Sequence, residues 1–511
     1  MNLGQQHKMA SGEFPMINAI GTPRFAELMA DSAEHIELRR RMQRPQRHRL
    51  LHGYPLAAAM PRITENQRRG TILPELDANR GLLVGVLPHP FCNPAVTGCG
   101  FCTFPHEAFT ARKAALVIDH VVREIEQTLQ ARPGLAGRPI AGLYFGGGTA
   151  NLSPPEPFRR LCRALTMAFD VSQAEVTLEG VPAAFIHRRP LLVDILREEL
   201  PARHFRLSMG IQTFDRDRLR QMGRLGFGDA ETFREVVQLG HSREFTVSSD
   251  LLFNLPAQSL AQMKDDVRSA VDIGLDHLGL YHLVLFEGLG TIWSRDPALV
   301  ASLPTNAEAA CNWLELQGLL HDLGFSQTTL TNFERREFQG HDRRFVYEEL
   351  SFRPDRYDML GFGPTGISFA GSGRTAIKVI NPDGAAAYVA AVDRAGPTWD
   401  RAFMYAPRDL RVLHLTRRLA ALRIDRRDYQ AFFGSDPLDD FRREFEVLEQ
   451  EGLVIVTDET IEPSGLGMFY SDSIAALLSW KQVRANRHYK TESETPKVNH
   501  ARGNDNGHGH M

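Results

Sequence analysis

Three cysteines carry the most specific chemistry in the chain. The stretch Pro88-His89-Pro90-Phe91-Cys92-Asn93-Pro94-Ala95-Val96-Thr97-Gly98-Cys99-Gly100-Phe101-Cys102 sets them in a C-x6-C-x2-C spacing, while the other two cysteines, Cys162 and Cys311, stand apart. Clustering of this kind is no disulfide framework and points to metal or redox chemistry. Three thiolates can hold three irons of a [4Fe–4S] cubane and leave the fourth iron open to chelate a small ligand. The same thiolates with His89 or His106 can hold zinc, because a C-x2-C pair beside a histidine is a common zinc set. On the spacing alone both remain open.

Other residues of suitable type follow downstream. Tyr144-Phe145-Gly146-Gly147-Gly148-Thr149 is a glycine run behind an apolar stretch, where backbone amides and carbonyls can approach a polar ligand without side-chain obstruction. Glu179 closes Val176-Thr177-Leu178-Glu179, Gln212 lies in Ser208-Met209-Gly210-Ile211-Gln212-Thr213-Phe214, Arg224 comes twelve residues later, and Asp250 stands in Ser249-Asp250-Leu251-Leu252-Phe253-Asn254-Leu255-Pro256. Taken singly, each carboxylate reads as a helix cap or solvated loop and the arginine as a surface ion pair.

The elements that must hold these residues are legible as short apolar runs alternating with amphipathic stretches. Strands are expected at Leu82–Leu87, Gly142–Phe145, Glu175–Glu179, Arg206–Gln212, Thr246–Leu252 and Leu278–Leu285. Ser153-Pro154-Pro155-Glu156 and Ser259-Leu260-Ala261-Gln262 both have capping-box spacing, the first with proline at the first helical position. Behind the first, Phe158, Leu161, Cys162, Leu165 and Phe169 share a helical face, which makes Cys162 a core residue. Such alternation implies a parallel sheet with ligands at its carboxyl ends. Six units make a partial (β/α)6 TIM-like barrel rather than a closed eight-stranded one. The expected organisation is an extension over 1–80, the barrel over 81–300, a helical, winged-helix-like C-terminal substrate or cap domain over 301–482, and a disordered tail over 483–511. The winged-helix pattern rests on Leu410–Ile424, Asp439–Gly452, Leu453–Thr457 and Ile461–Pro463. The tail is polar, and His508 and His510 within it carry no expected role.

Composition narrows the partners. A formal net charge of −3 over 511 residues, with both signs interspersed, gives no field for nucleic acid, and the basic run from Arg39 to Arg49 reads as a solvated arm. No apolar stretch approaches the roughly 20 residues of a membrane span, and Met1 to Pro15 has no signal-peptide core. The default expectation is a cytoplasmic protein that meets a small-molecule substrate and neither nucleic acid nor membrane.

With these motifs in place, residues from about 84 to 480 resemble radical S-adenosylmethionine (SAM) enzymes of the oxygen-independent coproporphyrinogen III oxidase type and the related class C radical SAM methyltransferases. The resemblance implies that Cys92, Cys99 and Cys102 bind a [4Fe–4S] cluster, that Phe101 neighbours the adenine, and that Gly146, Gly147, Gly148 and Thr149 form the family's GGGT loop. It further implies SAM contacts from Glu179, Gln212, Arg224 and Asp250, which jointly read as a ligand pocket beside the thiolates and disfavour zinc. It also implies reductive cleavage of SAM to a 5′-deoxyadenosyl radical, and an electron donor such as flavodoxin or ferredoxin. The elementary chemistry agrees, since a strand-end carboxylate accepts from hydroxyls or ammonium and an arginine pairs with a carboxylate. Gly361-Phe362-Gly363-Pro364-Thr365-Gly366-Ile367-Ser368 resembles the family's GxGPSAxS segment. Gly467-Met468-Phe469-Tyr470-Ser471-Asp472-Ser473 resembles the methyltransferase branch's closing motif, as His52-Gly53-Tyr54-Pro55 loosely resembles its pre-barrel segment. The family's usual spacing is C-x3-C-x2-C, and Val86 stands where the oxidases carry tyrosine in YxHIPFC. These features favour radical C-methylation or cyclopropanation with a second SAM. Oxidative decarboxylation of a propionate side chain and a haem-binding chaperone without turnover are the alternatives. Tyr281 and His282, after the sixth strand, are candidates for proton transfer or contact with a second SAM; His106 and Glu107 are weaker candidates of the same kind.

Overall fold

The computed structural model describes residues 32–46, 54–64, 73–92, 99–103, 107–147, 149–394 and 396–493. After helix α1 (Ala33–Met42), strands and helices alternate as β1 (Gly81–Val86), α2 (Ala111–Ala131), β2 (Gly142–Phe145), α3 (Pro155–Ala168), β3 (Glu175–Gly180), α4 (Leu192–Glu199), β4 (His204–Gln212), α5 (Ala230–Ser242), β5 (Thr246–Phe253), α6 (Leu260–Asp272) and β6 (His277–His282). The six strands pair in parallel in the order of the chain. The partial (β/α)6 barrel read from the sequence is therefore present, strand for strand.

The period-two alternation of each strand sorts its two faces. Val176 and Leu178 of β3, Leu207, Met209 and Ile211 of β4, and Val247 and Leu251 of β5 lie in the main apolar core with the helices, all 2% exposed or less. Each such side chain contributes about 1.5–3 kcal/mol by leaving water. The alternate residues are polar and meet one another across the inner wall. Arg206 donates to His277 Nδ1 at 3.1 Å and to Thr177 Oγ1 at 3.4 Å, and Ser248 and Ser208 share a bond of 3.0 Å.

The helices start largely as their sequences dictate. Ser259 and Gln262 form the reciprocal cap of α6. At α3 the expected box is absent: Pro154 has no amide hydrogen and takes the cap position, while the Ser153 hydroxyl donates to Ala150 O at 2.7 Å. Cys162 is fully buried in α3's core face, as its spacing requires.

Beyond residue 300 the chain departs from a purely helical cap. After α7 (Asn306–Asp322) come β7 (Phe325–Gln327), β8 (Asn332–Arg335), β9 (Tyr357–Phe362), β10 (Ile367–Ser372), β11 (Thr375–Ile380), α8 (Ala385–Asp393) and β12 (Arg401–Tyr405). These six strands extend the barrel sheet at both edges, giving the order β7-β8-β6-β5-β4-β3-β2-β1-β9-β10-β11-β12. Edge strands left bare would expose unpaired amides and carbonyls, so the C-terminal half supplies the covering pairs. Then follow α9 (Pro407–Ala420), β13 (Ile424–Asp425), α10 (Arg426–Phe433), α11 (Arg442–Gln450), β14 (Val454–Val456), β15 (Thr460–Pro463) and α12 (Ser471–Ser493). β13, β15 and β14 form a separate small sheet, and the β14–β15 hairpin falls where the sequence placed one. The disordered tail expected from 483 is corrected in its start, because α12 runs on to Ser493; nothing between the two positions is a helix breaker. His508 and His510 lie outside the described residues.

One segment closes the inside of the barrel. Phe345 N donates to the Glu334 carboxylate at 2.7 Å and Val346 N to the Glu175 carboxylate at 2.6 Å, two buried acids. They seat Tyr347 against β1 and β2, where a Cβ on Gly142 would meet its ring at 2.9 Å and its centroid lies 5.2 Å from that of Tyr144.

Candidate active site

The first cysteine is positioned through the end of β1. Leu87 N donates to Phe362 O at 2.9 Å, and Gly363, with φ of 91°, packs so tightly that a Cβ there would sit 2.0 Å from Leu87 O. Only glycine fits that approach. Gly363 N is held at 2.8 Å by the Glu124 carboxylate of α2, which also accepts from Asn381 and Tyr388, both at 2.7 Å. Burial outweighs these donors and pushes the Glu124 carboxyl up to about 7. The Gly361–Ser368 motif thus braces the run into the cysteine loop. Phe91 and Cys92 then pair in parallel with Glu107 and Ala108, closing the loop at its base. Glu107 is structural in addition, since its carboxylate accepts from Ala385 N at 2.8 Å; His106 lies outside the described residues.

The three thiols share one electrostatic neighbourhood. The Cys92 Sγ lies 3.5 Å from Thr149 Oγ1, and Arg224 Nη1 donates to Cys99 Sγ at 3.0 Å. Burial, and then the nearby thiols of Cys102 and Cys99, push the Cys92 thiol up, while Thr149 and Arg224 pull it down. Among the described residues no three His, Cys, Asp or Glu side chains are already drawn together as a finished metal site, and residues 93–98 of the loop lie outside them. The donor chemistry fits a [4Fe–4S] cluster: the chain supplies three cysteines from one loop, with the Arg224 guanidinium beside Cys99 and the Thr149 hydroxyl beside Cys92. His89, the zinc candidate among the described residues, is a neutral buried ring whose Nε2 has no hydrogen-bond partner. Its ring packs on Phe91 and Phe109 with centroids 5.6 and 5.9 Å away, its Nδ1 accepts from Phe91 N at 3.3 Å, and burial lowers its pKa to about 3.

The next strand ends deliver the other expected residues. Gly147 takes φ of 113°, and a Cβ on Gly146 would meet the Tyr144 ring at 2.7 Å and Glu179 Oε2 at 3.0 Å, so the loop hugs the end of β3. Gly148 lies outside the described residues. Tyr144 OH donates to Glu179 Oε2 at 3.1 Å. Gln212 sits at φ of 74° where β4 and β5 slip register between Gly210 and Gln212, an irregularity that re-aims a side chain. Arg224 is 7% exposed; its second Nη donates to Gly210 O at 2.5 Å, and the guanidinium lies 5.1 Å from the Phe227 ring. Asp250 faces Gly279 across β5 and β6, where a Cβ would lie 2.7 Å from both Asp250 Oδ1 and the Tyr281 ring.

At the mouth, Tyr281 packs with Met222, Leu252, Leu255, Leu283, Leu285 and Trp293, and Phe101 joins the same cluster. The His282 Nδ1 lies 3.1 Å from Asn254 Nδ2, and Asn254 Oδ1 accepts from Asn312 at 2.7 Å, which orients the imidazole. Its ring stands between Phe253 and Phe469, at 5.4 and 5.3 Å, so the Gly467–Ser473 motif returns to the barrel mouth. His52 and Gly53 lie outside the described residues; Tyr54 OH bonds Asp409 far from the thiols in sequence and serves packing.

Two contributors were not singled out from the sequence. Tyr144 orients Glu179, and its place in the Tyr144–Thr149 segment was the available signal. Trp293 pins the C-x2-C turn: its amide donates to Gly100 O at 2.9 Å, its indole lies where a Cβ on Gly100 would sit at 2.2 Å, and its ring meets Phe101 edge-on at 6.2 Å. Nothing in its local sequence marks that contact.

A six-stranded barrel with three thiols at its first loop and polar residues at its strand ends defines an iron–sulfur radical enzyme scaffold. Residues 86–270 match the Radical SAM superfamily, and the chain belongs to that superfamily, in its HemN/HemW coproporphyrinogen oxidase-like group. The chain is 23% identical over 278 residues to Heme chaperone HemW of Lactococcus lactis subsp. lactis, covering 54% of this chain and 67% of that protein. It is 34% identical over 197 residues to Anaerobilin synthase of Escherichia coli O157:H7, covering 38% of this chain and 41% of that one. The matches therefore span two thirds of the first relative and less than half of the second. In structure it resembles coproporphyrinogen III oxidase (HemN) from Escherichia coli, with TM-score 0.67 and 21% identity over 84% of this chain and 96% of that one, which establishes the shared fold. The superfamily implies a [4Fe–4S] cluster and SAM. Methyl transfer, favoured by the sequence motifs, gains no support from these relatives. Among the described residues no helix is long and apolar enough to cross a membrane.

Proposed function

We propose that the chain reductively cleaves SAM and uses the radical for hydrogen abstraction from a tetrapyrrole-class substrate, in the manner of an oxygen-independent coproporphyrinogen oxidase rather than of a methyltransferase. When bound, the cluster supplies the electron that splits SAM into methionine and a 5′-deoxyadenosyl radical. Cys92, Cys99 and Cys102 would hold it. The observation that carries the reading is Arg224, buried with one Nη on Cys99 Sγ and the other on Gly210 O, because it joins the thiol site to the strand-end row of Glu179, Gln212 and Asp250. Glu179 and Asp250 would accept from ammonium and hydroxyl groups of SAM, the Gly146–Gly147 backbone would admit its methionine end, and Phe101 would neighbour its adenine. The aromatic and apolar residues around Tyr281 keep water from the mouth.

The names of relatives support the substrate class: one is named for haem and another for a porphyrinogen. In the oxidase reaction a propionate side chain loses a hydrogen atom to the radical, then carbon dioxide and an electron to an acceptor. Flavodoxin or ferredoxin would donate the electron that reaches the cluster. A second reading, a haem chaperone without turnover, is favoured by the match across two thirds of the Lactococcus protein.

Anaerobically reconstituted protein incubated with dithionite, methyl-labelled SAM and coproporphyrinogen III tests these readings. The proposal expects 5′-deoxyadenosine with carbon dioxide and label retained in methionine. S-adenosylhomocysteine together with labelled product would replace it with methyl transfer. Tight haem binding without 5′-deoxyadenosine would establish the chaperone.

A further inference from the structure

Away from the thiols, two cations line a narrow pocket on the inner face of the extended sheet. Lys378 of β11 and Arg417 of α9 face it, with Leu83, Met359, Phe369 and Leu413 as apolar walls. Leu83 precedes the end of β1 by three residues, so the pocket lies about 10 Å below the strand ends that hold the SAM-site residues. Lys378 is 5% exposed, and its ammonium donates to Pro55 O at 3.1 Å. Arg417 donates through Nη1 to Ser351 O at 3.2 Å, while its Nε is buried with no hydrogen-bond partner.

Buried cations are ordinarily paired with acids. Here Asp358, the acid among the described lining residues, is engaged through Oδ1 by Arg80 Nε at 2.8 Å and by Gly371 N at 2.9 Å, its Oδ2 being buried with no hydrogen-bond partner, and no bond joins it to Lys378 or Arg417 among the described residues. Glu348 and the hydroxyls of Tyr347 and Tyr405 are close enough to feel the charge of Arg417, but Glu348 accepts its bond from Thr329, and Tyr405 OH donates to Pro55's neighbour, Tyr54 O. Two basic side chains therefore converge on one pocket with a guanidinium edge left unbonded, and burial, with the Arg417 charge beside it, lowers the Lys378 ammonium to about 7.

We propose that the Lys378–Arg417 pocket binds a carboxylate group. The Nε edge of a guanidinium presents parallel N–H donors that match the two oxygens of a planar carboxylate, and a lysine beside it adds a point charge. The close apolar walls suit a small planar anion over a bulky hydrated one such as phosphate. The carboxylate is either a free small acid or one arm of a larger substrate. The site stands on these residues alone and does not depend on the tetrapyrrole reading.

Sodium formate titrated into the full-length protein, against sodium chloride at equal ionic strength, tests the site. A saturable rise in Tm and broadening of the carbon-13 formate resonance are expected with formate and not with chloride. Lys378→Met and Arg417→Met should each weaken formate binding about tenfold or more, and Lys378→Arg should retain it. Circular dichroism and iron content of each variant show whether it is folded. The absence of a saturable formate response in the native protein would overturn the site, as would a response unchanged in folded variants. Coproporphyrin III, a stable tetracarboxylate, separates the sources. Displacement by formate in the native protein but not in Lys378→Met assigns the carboxylate to a substrate arm, and simultaneous binding assigns it to a free acid. Failure of coproporphyrin III to bind counts against the proposed substrate class and leaves the formate result standing.

Discussion

Arg224 Nη1 lies 3.0 Å from Cys99 Sγ, while the same guanidinium is anchored on Gly210 O at the end of β4. A bond from a buried cation to a sulfur is worth more than a neutral one, about 1.5–3 kcal/mol. It fixes the orientation of a sulfur that would hold iron. Arg224→Met should therefore lower SAM cleavage about 10- to 100-fold and shift the electron paramagnetic resonance spectrum of the reduced cluster. Arg224→Lys, which keeps the charge but cannot span both partners, should recover only part of the loss. Wild-type rates and spectra in Arg224→Met would remove this arginine from the site.

The cysteines separate by environment. Cys92→Ala, Cys99→Ala and Cys102→Ala should each abolish the cluster, read as loss of about four irons per chain and of the brown thiolate-to-iron absorption. Cys162 is fully buried in α3 and burial pushes its thiol well up, so it is no thiolate ligand. Cys162→Ala should keep iron and SAM cleavage at a stability cost of about 1 kcal/mol. Iron retained in any of the first three variants, or one zinc in colourless native protein, would contradict the assignment.

Local signals made the barrel readable. All six strands were visible because each is a short apolar run ending in polar or glycine punctuation, whereas Glu179, Gln212, Arg224 and Asp250 became legible as a set through the family resemblance of the motifs that carry them. The edge strands β7 to β12 were not visible. Asn332–Arg335 and Arg401–Tyr405 carry no clean alternation, since their pairing is dictated by other strands, His277–Gly279 and Ala376–Ile380, that lie well outside their own local sequence. Ser153-x-x-Glu156 misled because proline at the cap position overrides the pattern. The contact of Phe469 with His282 joins residues 187 apart, which no spacing within the motif discloses.

Trp293 is the clearest case of a site residue invisible in sequence, and its removal is informative. Its indole covers Gly100 and abuts Phe101, so Trp293→Ala would leave a cavity directly under the C-x2-C turn. Truncation of a buried tryptophan costs about 3–5 kcal/mol, and here the loss falls on the loop carrying two ligands. Trp293→Ala should incorporate iron less completely and broaden the cluster spectrum, while Trp293→Phe should restore much of both. Full iron content with an unchanged spectrum in Trp293→Ala would reduce its role to general packing.

His89 offers a test of the neutral, buried histidine that the structure shows. Burial, with a smaller push from Arg188, depresses its pKa from 6.5 to about 3, so the folded protein keeps it neutral while the unfolded chain protonates it on acidification. Its contribution to stability is full above the unfolded pKa of 6.5 and is lost as the pH falls from there towards about 3. At pH 5 that loss amounts to about 2 kcal/mol, from 1.36 kcal/mol per pH unit. His204, His277 and His414 are depressed in the same direction by burial, so the native protein should lose stability steeply on the acid side. His89→Phe, which fits the aromatic packing of Phe91 and Phe109, should shallow that acid limb by one histidine's share and leave the cluster in place. Urea midpoints measured from pH 7.5 to 5 provide the readout. An acid limb unchanged by the substitution would mean that His89 is charged in the folded state, and loss of iron in His89→Phe would return it to the ligand set.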